Sequence, residues 1–299
     1  MTTLRIATRR SALATAQARA VAAAIEAAAP GVRTVLVFVS TEGDRDRATP
    51  LSGLGGAGVF TRAIQEAVLR GEADLAVHSL KDLPLDGPAD LVLAAVFARE
   101  DVRDALVSRG GLRLADLPPG ARIGSSSPRR EFQVRALAAQ LGRADLRIEP
   151  VRGNVPTRVR KAEAGKPDAV VLALAGLRRL GLESKASQVF TLDEILPAPG
   201  QGAIAIEAMA GSEAARHASA IDETSARAAV LAERAALGAS GGGCHAAFAA
   251  HATVAGKRLR LRVRVPGAEG APPCETEAEG PASDPEALGR EAAGRLLSR

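Results

Sequence analysis

Five short segments of the 299-residue chain carry side chains that could act together on a ligand. ATRRS holds Arg9 and Ser11, and HSLKDLP holds His78, Ser79, Lys81 and Asp82. IGSSSPRR holds Ser125, Ser126, Ser127, Arg129 and Arg130. RGNVPTR holds Arg152, Asn154 and Arg158, and GLRRL holds Arg178 and Arg179. SSSPRR and RGNVPTR both set a tight turn and Arg at the start of an expected helix, where free N–H groups and the dipole favour anions. Guanidinium forks match carboxylates through two parallel bonds. The set points to a ligand with several carboxylates or phosphates, held between two domains. No GxxxxGK[ST] loop is present, which argues against a nucleoside triphosphate. Asp82 has the opposite sign to its neighbours. It suits a cationic or N–H part of the ligand as a general acid–base group, or it forms an ion pair with Lys81 or a nearby Arg. Cys244 lies in GGGCHAAF, where Gly241 to Gly243 leave room to present a side chain. It is a nucleophile or covalent attachment point, or else a small buried hydrophobe.

The elements that must position these groups alternate. LRIATR, RTVLVFVS and ADLAVHS read as strands. Between them, a helix starts at the candidate cap Ser11 and stops at Pro30-Gly31, and another runs from the candidate cap Thr61 to Gly71. A second run begins near Asp101: strand ARIGSSS, helix PRREFQVRALAAQLG, strand LRIEPV, helix VPTRVRKAEAG and strand DAVVLALAG. Pro128 stands where a first-turn proline belongs. Such alternation implies right-handed crossovers and a mainly parallel sheet, with ligands beyond the carboxyl ends of the strands. The five segments all fall at such ends or just after them. RGEADLAVHS and AGKPDAVVLA echo each other weakly, as two domains of like topology would. TPLSGLGGAGVF reads as a mobile loop or lid. After about residue 221 come a helix, the cysteine loop and the run KRLRLRVRV, in which Leu259, Leu261, Val263 and Val265 alternate with Arg258, Arg260, Arg262 and Arg264. That is a half-buried strand, its basic face solvated rather than bound to nucleic acid. A final helix closes a small α+β domain.

Composition excludes several classes. Two cysteines, Cys244 and Cys274, make no disulfide framework, and with four scattered histidines they supply a closed metal site poorly. Six Phe with no Trp or Tyr are too few stacking platforms for sequence-tolerant single-strand binding. No apolar run approaches the roughly 20 residues of a bilayer span, and Gln17, Arg19 and Glu26 interrupt any secretory apolar segment. The expectation is a cytoplasmic protein without metal, nucleic-acid or membrane partners. Of the 39 basic residues five are Lys, and the formal charge is +5. The Arg excess by itself also fits coding sequence rich in G and C.

RIATRRSALA, TEGD, HSLKDLP, REDVRDALVS, IGSSSPRR, VRGNVPTR, LALAGLRRLGL, LPAPGQGAIAIE and AERAALGASGGGC follow one another in an order and spacing that resembles hydroxymethylbilane synthase, also called porphobilinogen deaminase, along nearly the whole chain. The resemblance implies an α/β fold class. Two domains would be like those of type II periplasmic binding proteins (1–98 with 200–219, and 99–199), followed by a small α+β domain (220–299). It implies that four porphobilinogen molecules are deaminated and joined head to tail onto a covalent dipyrromethane cofactor. The linear tetrapyrrole is then released by hydrolysis. By this resemblance Cys244 carries the cofactor through a thioether, and Asp82 is the catalytic carboxylate and also faces the cofactor. Lys81, Ser125, Ser127, Arg129 and Arg130 would hold cofactor carboxylates, while Arg9, Ser11, Gln17, Arg152, Arg158 and Arg179 would meet the substrate. The chain departs from the family pattern at Gly53 and Ala57 in the lid, where lysines are common. It departs again around the cysteine, at Ser240 and at Ala246, Ala247, Phe248 and Ala249. Rival readings are an inactive paralogue and a non-enzymatic two-domain polyanion binder.

Overall fold

The computed structural model describes residues 2–41, 58, 61–241, 246–268 and 271–297. Gly53, Ala57 and Cys244 lie outside these described residues. The chain divides into two units, Met1–Glu100 with Gly202–Arg227, and Asp101–Gln201 with Ala228–Arg299.

In the first unit, β1 (Thr2–Arg9), β2 (Val32–Val39), β3 (Leu75–Ser79) and β4 (Leu91–Phe97) join β10 (Ile204–Met209) in one sheet of order β2-β1-β3-β10-β4. β1 pairs in parallel with β2 and β3, whereas β10 is antiparallel to both β3 and β4. Helix α1 (Ala12–Ala28) buries Ala18, Val21 and Ile25 against Leu4 and Ile6 of β1, a spacing that puts one stripe toward the sheet. Helix α2 (Arg62–Leu69) packs Ile64, Ala67 and Val68 on the other face, against Ala7 and Ala76. Both faces of β1 are thus covered, as a parallel sheet requires. Ser11 caps α1 as expected, accepting from the Ala14 N–H at 3.3 Å. Thr61 does not cap α2: its own backbone is already helical, and its hydroxyl donates to the Gly58 carbonyl instead.

The second unit repeats the pattern. β5 (Asp104–Ser108), β6 (Arg122–Gly124), β7 (Arg147–Glu149), β8 (Ala169–Ala173) and β9 (Gln188–Val189) form a sheet of order β7-β6-β8-β5-β9. Here β5 is the reversed strand, antiparallel to β8 and β9, while β6 is parallel to β7 and β8. Alternate residues of β8 serve opposite faces. Ala169 and Val171 join the cluster under α3 (Pro128–Gln140), and Val170 and Leu172 join that under α4 (Val155–Glu163). The echoing segments noted above are β3 and β8, the middle strands of their two sheets. The strand expected through Gly176 stops at Ala173, and α5 (Leu174–Arg179) begins at once.

Helix α6 (Glu213–Ser219) belongs to the first unit, and α7 (Thr224–Ala239) leads into the C-terminal segment. There β11 (Ala249–Ala255), β12 (Arg258–Val265) and β13 (Cys274–Pro281) form an antiparallel meander, followed by α8 (Pro285–Leu297). The α/β fold class, with two five-stranded sheets and a small α+β segment, holds. The expected alternation in β12 holds too, with Leu259, Leu261 and Val263 buried. Its arginine face is neutralised rather than merely solvated, because Glu275, Glu277 and Glu279 of β13 pair with Arg258, Arg260, Arg262 and Arg264. Arg264 goes further and is buried, donating to the Asp193 and Glu194 carbonyls and to Gln133 Oε1.

Candidate functional site

Because β1 and β3 run parallel, their carboxyl ends lie on one edge of the first sheet. Arg9 ends β1, and Ser11 opens α1 beyond it. β3 ends at Ser79 and the chain turns at once through a 3₁₀ turn, Leu80–Asp82. The turn is pinned from inside: Leu80 is fully buried and its N–H donates to the Ala203 carbonyl, and the Leu83 N–H closes on the Leu80 carbonyl. Lys81 is half-buried and Asp82 is exposed. Among the described residues, Asp82 makes no ion pair or side-chain hydrogen bond, so the alternative of a structural pair with Lys81 finds no support there. Gln17 sits one turn into α1 and is only 3% exposed; its Oε1 accepts from the Ser79 hydroxyl at 3.0 Å. The first edge therefore groups Arg9, Ser11, Lys81 and Asp82, with Gln17 beneath them bracing the strand end.

The second edge has the same logic. β6, β7 and β8 share a direction, so the segments after Gly124, Glu149 and Ala173 emerge together. After β6, the Ser125 hydroxyl accepts from the Ser127 N–H, Ser126 bonds both backbone groups of Val151, and Ser127 caps α3. After β7, Asn154 caps α4 by accepting from the Thr157 N–H at 3.0 Å. Both helices carry proline in their first turn, which removes a donor that would have no helical partner. Arg152, Arg158 and Arg179 are half-buried. Arg158 Nε donates to the Gly153 carbonyl at 2.7 Å, which turns the guanidinium back over the cap. Arg178 is committed to Asp101 and Glu183.

Arg129 and Arg130 are placed differently from simple surface cations. Both are buried and converge on Asp104, which opens the reversed strand β5 at this same edge and is wholly buried. Arg129 Nη2 meets Asp104 Oδ2 at 2.8 Å and Arg130 Nη2 meets Oδ1 at 2.7 Å. Gln201 Nε2 adds a third bond to Asp104 Oδ1. Arg129 Nη1 holds the Leu196 carbonyl, and burial pushes the Arg129 guanidinium pKa down. Two guanidinium charges around one carboxylate leave the cluster cationic, and the Nε atoms of both arginines are buried without a hydrogen-bond partner. Asp104 and Gln201 were not among the expected site residues. The signal for Asp104 was the REDVRDALVS segment, but its partners stand 25 and 26 residues away.

The cysteine expected to bear the cofactor lies outside the described residues, but both flanks of its loop are placed. α7 ends at Ala239 before it, and β11 starts at Ala249 after it. Glu233, fully buried in α7, accepts from the Gly200 N–H and the Ala252 N–H, both at 2.7 Å, and so ties the helix to the Pro-Gly turn and to β11. Among the described residues no cluster of three or more His, Cys, Asp and Glu could hold a metal, and no helix is long and apolar enough to cross a membrane.

Comparison with known proteins places this arrangement. The family model described as porphobilinogen deaminase, dipyromethane cofactor binding domain, matches residues 4–217, and that described as porphobilinogen deaminase, C-terminal domain, matches 227–298. The porphobilinogen deaminase of Thermobifida fusca is 49% identical over 272 residues, covering 90% of this chain and 83% of its own. That of Xanthomonas euvesicatoria is 46% identical over 301 residues, covering 100% of this chain and 97% of its own. Among solved structures, the methionine binding protein MetQ is similar at a TM-score of 0.45 and 12% identity, covering 73% of this chain and 88% of its own. With both models and relatives of this identity spanning nearly the whole sequence, the chain belongs to the porphobilinogen deaminase family.

Proposed function

We infer that this chain deaminates four porphobilinogen molecules and joins them head to tail into the linear tetrapyrrole hydroxymethylbilane, primed on a covalently bound dipyrromethane. The family match over both matched segments supports the reaction. The observation that carries the assignment of roles is Asp82, an exposed carboxylate at a strand-end edge that otherwise presents Arg9 and Lys81. Each pyrrole brings an acetate and a propionate, so the growing chain gains two carboxylates per step. Arg9, Ser11, Arg152, Arg158 and Arg179 supply cations and donors to these groups, with Gln17 as a buried brace. Loss of ammonia leaves positive charge spread onto the pyrrole nitrogen of the substrate. Asp82 stabilises that charge and moves the proton at that nitrogen.

Dipyrromethane supplies the acceptor carbon on which the first substrate is joined. Its carboxylates fit the second edge, where two buried arginines share one aspartate and keep unpartnered Nε donors beside the Ser127 cap. Lys81, Asp82, Ser125, Ser127, Arg129 and Arg130 hold the cofactor, and Cys244 bonds it through a thioether. We read the chain as three domains, 1–98 with 200–219, 99–199, and 220–299; the separate three-stranded sheet supports the third. We place the protein in the cytoplasm as a monomer, without nucleic-acid partners. The pairing of the β12 arginines with β13 glutamates supports the last point. Intact-mass measurement of the purified protein tests the attachment. The wild type is expected to exceed its sequence mass by one dipyrromethane and Cys244→Ser to lack the adduct. A wild type at its bare sequence mass removes Cys244 from the role.

A further inference from the structure

Behind the Lys81–Asp82 turn lies a buried polar cluster that the proposed reaction leaves unused. His78, in β3, is 5% exposed, Gln65, in α2, is 5% exposed, and Glu207, in β10, is 6% exposed. On the antiparallel pair β3–β10, His78 faces Ala205 and Glu207 faces Ala76, so the two polar side chains are diagonal neighbours on one face. His78 Nε2 stands 3.1 Å from Glu207 Oε2, off the line along which an Nε2–H would point, and makes no well-formed hydrogen bond. The Gln65 amide donates to both Glu207 oxygens, at 3.1 and 3.0 Å. The chain leaving the turn returns over the same spot, because a Cβ at Gly87 would stand 3.8 Å from Gln65 Nε2 and 3.9 Å from Glu207 Oε1. The cluster therefore grips the segment at both ends, at His78 four residues before Asp82 and at Gly87 five residues after it.

Stability alone does not account for these residue types. Burying a carboxylate, an imidazole and an amide is costly, and apolar side chains of similar volume often serve a core as well or better. The surroundings are apolar: Ile64, Ala67 and Ala76 pack together on this face, and Ala205 opposite His78 is buried. We propose that His78, Glu207 and Gln65 are positioning residues that fix the Lys81–Asp82 turn so that the Asp82 carboxylate meets the reacting pyrrole nitrogen. The proposal rests on the catalytic role given above to Asp82. Displacement of a catalytic group by about 1 Å can cost on the order of 100-fold in rate, and the loss falls on kcat when ground-state binding is untouched.

The test compares His78→Leu, the double variant His78→Leu/Glu207→Leu, and His78→Gln, whose amide nitrogen reaches the place of Nε2. Each is measured as protein whose adduct mass is verified, for kcat, KM, urea midpoint and hydrogen exchange at the Leu80 and Leu83 amides that pin the turn. In the double variant no carboxylate is stranded and only the Gln65 amide loses its partners, so the fold is kept at a modest cost in stability, and kcat is expected to fall at least about tenfold with KM within about twofold. The Leu80 and Leu83 amides are expected to exchange faster by more than the accompanying fall in urea midpoint explains. His78→Gln is expected to restore most of both. A double variant with wild-type kcat and wild-type exchange at the turn overturns the proposal. A wild type that turns over no porphobilinogen overturns the functional reading instead, and the exchange measurement, which needs no activity, then decides the positioning by itself.

Discussion

At the scale of single residues, the two edges divide into groups held by the protein and groups left available to a ligand. Asp82 belongs to the second kind, and Arg129 and Arg130 largely to the first. Asp82→Asn is expected to keep the fold and the covalent adduct while turnover of porphobilinogen falls on the order of 100-fold or more. Steady-state assay of verified holoenzyme checks this, and wild-type turnover removes Asp82 from the catalytic role. Acid sensitivity lies elsewhere. The Arg143 guanidinium and the Gly120 N–H hold the Asp145 carboxyl at about 2 against an ordinary 3.8. Arg103 likewise lowers Asp101, chiefly through its hydrogen bond. A carboxylate whose folded pKa is depressed contributes stability that is present above the unfolded value and lost as pH falls through the folded one. The melting temperature is therefore expected to drop as pH falls from about 4 towards 2. Asp145→Asn is expected to have a shallower drop over that window; parallel curves would show that Asp145 plays no part.

At the scale of elements, what positions the chemistry is the strand end rather than the loop. Each candidate group stands within a few residues of a strand terminus or a helix cap. The helices and parallel strands were readable because apolar periodicity, the Ser11 cap and the first-turn Pro128 are local signals. β4, β5 and β10 were not read: their partners are remote in sequence, and no crossover helix announces a reversed strand. The same limit hid Asp104. Charge shows in composition, but its neutralisation by a residue 25 positions away does not, so the burial of Arg129 could not be foreseen. Thr61 shows the opposite failure, a residue type suited to capping whose backbone is already helical. Glu233 gives an element-scale test. Glu233→Ala strands the buried N–H groups of Gly200 and Ala252, and the expected loss is about 3 kcal/mol, read by urea unfolding. A loss below about 1 kcal/mol would mean that water or a neighbouring group takes over both donors.

At the scale of the whole molecule, the repeated sheet order sets a timetable. The second sheet draws all its strands from Asp104–Ser108 through Gln188–Val189, one continuous stretch of chain. The first sheet has β1 to β4 by Phe97 yet needs β10, which ends at Met209, to join β3 to β4. During synthesis from the N-terminus the later sheet thus has its full complement of strands before the earlier one. At translation rates of about 5–20 residues per second, the gap of about 130 residues between Ser79 and Met209 leaves the open edge of β3 waiting for roughly 6 to 26 s. That edge, with its row of unpaired backbone groups, is an invitation to wrong partners on the ribosome, and the segment beyond it is the one that carries Lys81 and Asp82.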